Sequence, residues 1–218
     1  MNDFQAEAQV PAQNSAPLHF QDTARPWAAW VLKAMGWQLE SNGFPGPCGV
    51  AIVYPHTSNW DFVIMILAKW AIGVPARFMA KDSLFKIPLM GRWLRYVGGL
   101  AVDRRSPQGV VGQIVQTFLE HQNAGKPLWL GLTPEGTRAY VPAWRSGFYQ
   151  IALEAGLPLG LVELDYAKKR VTFTSFLKLS GDMAWDNRRV AAVYAGVQGK
   201  HPELAAPIVW QVKDRVSH

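Results

Sequence analysis

The sequence holds a single cysteine, Cys48, among 218 residues. No disulfide can form within the chain, and Cys48, with no basic neighbour in sequence, reads as a small packing residue and not as a nucleophile. Charge is scarce, at 17% of residues. The roughly 18 uninterrupted apolar residues of a membrane-crossing helix are missing. The nearest stretch, Phe62 to Val74, is broken by Lys69 and stops at Pro75. The first 24 residues lack the basic start and apolar middle of a signal peptide. Their Gln, Ala and Pro content is that of a disordered leader. There is no internal repeat, no nucleic-acid-binding motif, and no Gly-x-Ser-x-Gly elbow of the kind that carries a hydrolase serine.

What is present is apolar and aromatic. Hydrophobic residues make up 49% of the chain and ten residues are Trp, enough for one domain with a sizeable core. Trp also suits a boundary between apolar and wet surroundings, so an aromatic core and a membrane interface are both open. Net charge is +6, which is compatible with anionic lipid, phosphorylated substrates or nucleic acid. From Lys69 to Arg105 eight basic residues face two acidic ones, and this stretch carries the whole excess. Without a nucleic-acid motif, lipid headgroups or an acyl-thioester carrier fit that charge better, beside the plainer reading of a solvated basic face.

Strands alternating with helices predict an α/β domain with a mostly parallel central sheet flanked by helices. Residues 25–40 open with a helix in which Pro26 suits the first turn. Trp27, Trp30, Val31, Ala34 and Trp37 recur on one face beside Arg25 and Lys33. That pattern predicts a short amphipathic helix on a membrane surface; the alternative is a helix packed on the core. The domain itself is expected over 45–200, with 201–218 as a C-terminal tail.

The chain is organised around His56-Thr57-Ser58-Asn59-Trp60-Asp61. Val50 to Tyr54 predicts a buried strand, Pro55 ends it, and Phe62 to Ala68 continues as a buried helix. A histidine therefore sits at the carboxyl end of a strand, where open α/β sheets bind ligands. A short turn lets Asp61 hold one imidazole nitrogen and leaves the other as a base. Two further strand-end blocks follow, Gly98-Gly99-Leu100-Ala101-Val102-Asp103-Arg104 and Pro134-Glu135-Gly136-Thr137-Arg138.

In this order and spacing, the blocks resemble the glycerolipid acyltransferases, in particular the 1-acylglycerol-3-phosphate acyltransferases. His-x4-Asp and Glu-Gly-Thr-Arg are matched letter for letter, and the resemblance spans roughly residues 45 to 165. It implies an enzyme that moves a fatty acyl group from acyl-CoA or acyl-carrier protein to the hydroxyl of a lysophospholipid. The transfer is direct, without an acyl-enzyme, a metal or a tightly bound cofactor. His56 is then the general base and Asp61 its partner. Arg104 and Arg138 match family arginines and would hold the acceptor phosphate, although Arg104 could equally form a surface ion pair with Asp103. Glu135 would anchor Arg138 or bond the glycerol hydroxyl, Gly136 would admit close backbone approach, and Thr137 would add a hydroxyl donor. Ser58 reads as a helix cap.

The fourth family block, a proline-rich strand, is reduced here to Leu157-Pro158-Leu159-Gly160-Leu161-Val162, which keeps only Pro158. That region helps shape the substrate pocket in the family, so acceptor preference stays open. A lyso-ornithine lipid is the nearest rival acceptor, and a non-catalytic lipid-binding module is the rival from another class. The expected setting is peripheral or monotopic, on an anionic membrane surface at the cytoplasmic face of the inner membrane, with no nucleic acid as partner.

Overall fold

A computed structural model describes residues 16–102 and 109–211. The helices and strands are, in order, α1 (Pro26–Ala34), β1 (Gln38–Ser41), β2 (Cys48–Tyr54), α2 (Asn59–Ile72), β3 (Ala76–Lys81), α3 (Asp82–Phe85), α4 (Pro88–Val97), β4 (Gly99–Val102), α5 (Gly109–Asn123), β5 (Leu128–Leu132), β6 (Trp144–Arg145), α6 (Gly147–Glu154), β7 (Leu159–Asp165), β8 (Arg170–Leu177), α7 (Met183–Val193) and β9 (Trp210–Gln211).

Seven strands form one sheet in the order β1-β8-β7-β2-β5-β3-β4. The run β7-β2-β5-β3-β4 is parallel throughout. β8 joins it antiparallel, and β1 pairs parallel with β8. The expected mostly parallel α/β domain is therefore present. β2 lies at the centre and every one of its residues is buried, which is why its sequence is a continuous apolar run instead of an alternating one.

The two-residue period of the strands sorts the core into two layers. Val50, Ile52 and Tyr54 of β2 face α5, α6 and α7, where they meet Phe118, Ile151 and Tyr194. Ala51 and Val53 face α1 and α2, where they meet Leu32, Ile64 and Leu67. Gly49 leaves room for the Trp129 ring: a Cβ there would lie 2.4 Å from the indole.

The amino-terminal segment departs from the expected stripe. α1 ends at Ala34, and Gly36 follows with φ +81, a left-handed conformation that turns the chain toward β1. Trp37 thus leaves the helix face and is buried edge-on against Tyr166, with ring centroids 4.9 Å apart. The buried face of α1 is Ala28 and Leu32, while Trp27 and Trp30 point outward. The expected helix start at Ser106 and Pro107 lies outside the described residues.

The carboxyl end is not a loose tail over its described part. β9 pairs in parallel with β6. Trp210 is 8% exposed and packs on Phe148 and Tyr149 at 5.2 and 5.1 Å. Trp210→Ala should therefore destabilise the domain by about 3–5 kcal/mol, as loss of a core aromatic does. The denaturant midpoint reads this, and an unchanged midpoint would mean the segment contributes nothing to the core.

Candidate active site

The parallel strands end along one edge of the sheet, and the candidate residues follow those ends: His56 after β2, Glu135 after β5 and Tyr166 after β7. α2 begins in the same place. Ser58 caps it in extended conformation, its Oγ accepting from the Trp60 N–H at 3.2 Å. Asp61 sits in the first turn, where a carboxylate is favoured by the exposed amides of the helix start.

Asp61 is 1% exposed and both of its oxygens are hydrogen-bonded. Its Oδ2 accepts from the backbone N–H of Thr57 and of Ser58, both at 2.9 Å, and lies 3.1 Å from His56 Nδ1. Its Oδ1 accepts from the Tyr166 hydroxyl at 2.7 Å. Burial opposes ionisation of Asp61, but the hydrogen bonds from His56, Tyr166 and Ser58 overcome it and hold the carboxyl below its ordinary value. An ionised carboxylate only accepts, so Nδ1 carries the proton and Nε2 is the free base.

Glu135 holds the other side of His56. It is 2% exposed. One oxygen accepts from the His56 backbone N–H at 2.6 Å and the other from the Ala206 N–H at 3.0 Å. Burial raises its pKa, against the two amides. Where a bond from Glu135 to Arg138 was one expectation, each Glu135 oxygen in the structure accepts from a backbone amide. Thr137 is not among the cavity's lining residues, and its Oγ1 accepts from the Ala139 N–H at 3.2 Å. Gly136 has φ +67, and the place of its missing side chain is taken by the Arg145 guanidinium, 3.1–3.2 Å from where a Cβ would stand.

A cavity of about 1000 Å³ opens beside His56. Its apolar lining includes Met65 and Ile66 of α2 together with Val53, Val74, Phe78 and Phe173. Among the described residues the cations lining the cavity are Lys69, Arg77, Lys81, Arg138 and Arg145, and the one acidic lining residue is Asp61. Among the described residues Arg138 and Arg145 have no ion pair. Lys69 donates to the Ala76 and Val97 carbonyls at 2.5 and 3.0 Å. Burial, with Arg77 and Arg25 nearby, pulls its pKa down to about 8. Arg104 lies outside the described residues. No group of three or more His, Cys, Asp or Glu among the described residues could hold a metal ion.

The family model described as Acyltransferase matches residues 46–160, more than half of the chain. The chain belongs to the acyltransferase family. Its matched part runs from just before β2 into β7 and so contains His56, Asp61 and the whole Glu135–Arg138 block. A solved structure, the 1-acyl-sn-glycerophosphate (LPA) acyltransferase PlsC from Thermotoga maritima, is similar at 18% identity and a TM-score of 0.49, over 76% of this chain and 73% of that one. No curated protein matches.

Two residues of this acyltransferase site escape a motif reading. Arg145 carries no block signature, and Tyr166 is 105 positions from the carboxylate it touches. Burial and the adjacent Asp61 carboxylate push the Tyr166 hydroxyl far up, so it remains a donor. Tyr166→Phe removes one charge-assisted bond and should lower kcat by about tenfold or more with acceptor KM unchanged; full activity in Tyr166→Phe would remove Tyr166 from the dyad.

The acid limb of stability follows from Asp61. Its folded pKa lies below 3.8, so its contribution is complete above that value and is lost as pH falls through the folded value. Between about pH 5 and about pH 2 the wild type should lose thermal stability more steeply than Asp61→Asn. Parallel Tm–pH curves would contradict this.

Proposed function

We propose that this acyltransferase moves a fatty acyl group from acyl-CoA or acyl-carrier protein to the free hydroxyl of a lysophospholipid, with 1-acylglycerol-3-phosphate as acceptor and phosphatidic acid as product. The observation that carries the reading is the cavity: a free imidazole nitrogen, an apolar lining for a hydrocarbon chain, and, among the described residues, five cations with no acidic residue but the one bound to His56.

In this reading His56 Nε2 takes the proton of the acceptor hydroxyl as its oxygen attacks the thioester carbonyl. The tetrahedral adduct then collapses, the C–S bond breaks, and the imidazolium returns the proton to the departing thiolate. Asp61 stabilises the imidazolium while it exists. Ser58 caps α2, which supports direct transfer over an acyl-enzyme. Arg138 and Arg145 would grip the phosphate with planar forks that a lysine lacks. Such an acceptor lies in a bilayer, and no helix among the described residues is long and apolar enough to cross one. We place the enzyme as a peripheral protein on the cytoplasmic face of an anionic membrane, where thioester donors occur.

His56→Ala should lower kcat by at least about 100-fold, the weight of a positioned base. Arg138→Lys should reduce kcat/KM for lysophosphatidic acid by about 10- to 150-fold, the worth of one charge-assisted bond, and much less for monoacylglycerol. Product mass spectrometry over a panel of lyso-lipids, lyso-ornithine lipid included, identifies the acceptor. An equal loss on charged and neutral acceptors would overturn the phosphate assignment, and near-normal turnover in His56→Ala would overturn the mechanism.

A further inference from the structure

The outer surface of α4 is apolar in a way that no packing within the chain explains. α4 buries Gly91, Leu94 and Val97 against the sheet edge and turns Leu89, Trp93 and Tyr96 outward, at 79%, 48% and 60% exposure. Trp30 on α1 is 70% exposed. The two helices form one surface. The ring of Trp27 meets that of Trp70 at 5.5 Å, and Trp70 meets Tyr96 at 5.6 Å. Arg25 binds across the joint, its guanidinium 4.7 Å from the Trp70 ring and donating to the Tyr96 hydroxyl at 2.9 Å.

The charges on α1 and α4 themselves have one sign, while Asp82 on the neighbouring α3 is paired with Lys86. Neither α1 nor α4 contains an acidic residue, whereas Arg25, Lys33, Arg92 and Arg95 stand in or beside them. A broad apolar face edged by cations, with Trp and Tyr among its members, matches the layered chemistry of an anionic bilayer, where hydrocarbon lies under phosphate. A water-soluble partner would more commonly meet a patch with paired polar groups at its rim.

The face also communicates with the active-site cavity. Phe62 lines that cavity and stacks on Trp93 with centroids 5.9 Å apart. Lys69, another lining residue, holds the last carbonyl of α4 through its bond to Val97. A lipid rising from a bilayer under α4 would therefore meet Phe62 first and the apolar lining behind it.

We infer that α4, together with Trp27 and Trp30 of α1, is the surface on which this enzyme docks to an anionic bilayer, and that its acceptor enters the cavity past Phe62 and Trp93. The inference rests on the lysophospholipid reading for the identity of what enters, but the docking itself is measured without any substrate.

The lone cysteine is buried, so a fluorophore can be directed by introduced cysteines in a Cys48→Ser background. An environment-sensitive dye on Leu89→Cys should brighten and shift to the blue on vesicles of phosphatidylcholine with phosphatidylglycerol. The same dye on Leu119→Cys, on α5 across the sheet, should not respond. Leu89→Glu and Trp30→Glu should each weaken co-sedimentation with these vesicles, and the pair should weaken it by on the order of tenfold or more, with an unchanged Tm because both side chains are already in water. Equal dye responses at 89 and 119, unaltered sedimentation of the double variant, or a response at 89 that depends on protein concentration without vesicles would each overturn the inference; the last would make this face a contact between two copies. Vesicle docking with no acyl transfer to any lyso-lipid would leave the docking face standing and remove the proposed reaction instead.

Discussion

His56 is fixed between two buried carboxylates, and the rest of the site depends on that. Asp61 holds its ring and Glu135 holds its backbone. Neither carboxylate can be solvated, so each must be met by donors from the protein, and those donors come from far along the chain: the turn before α2, the residue after β7, and the segment near Ala206. Satisfying two buried charges thereby draws the ends of β2, β5 and β7 and the carboxyl-terminal segment to one point. The imidazole inherits its position from this frame, not from its own contacts with solvent-facing groups.

The distribution of charge in the cavity follows from the same arrangement. Both acids near the base are already bound, one to the base and one to amides, so the remaining field is set by cations. Among the described lining residues an anionic group meets guanidinium and ammonium groups, and the one carboxylate there is already bound to His56. The apolar lining adds a place for hydrocarbon, and the two together favour an amphiphile over a small polar metabolite.

Parts of this were legible in the sequence because they are local. β2, the His56 turn and α2 occupy adjacent residues, and an apolar run, a proline and a helix cap leave little freedom in how they fold. β5 and the start of the Glu135 block are legible for the same reason. Other parts were not, and the reasons are physical. Trp37 shares helical spacing with Trp27 and Trp30, yet the left-handed Gly36 intervenes, and periodicity does not report where a helix stops. β6 and β9 are two residues each, too short to have a period. Glu135 lies in a block that also carries an arginine, which suggested a partner three residues away, while its partners are backbone amides that no side-chain pattern reveals. Tyr166 reaches Asp61 only through the pairing of β7 with β2. The exposed face of α4 was hidden because Leu89, Trp93 and Tyr96 are apolar residues at helical spacing, a pattern that in sequence reads as a face turned to the core.

The bond between Glu135 and Ala206 has a consequence for synthesis. All the residues matched by the family blocks are translated before position 160, but the amide that completes the clamp lies 71 positions after Glu135. Domains form from the amino end as the chain emerges, and contacts between distant positions close late. A chain in which the segment around Ala206 has not yet been made carries the family blocks, but one oxygen of Glu135 then lacks its amide donor. The backbone seat of His56 is therefore completed only when residues outside every family block have joined the fold.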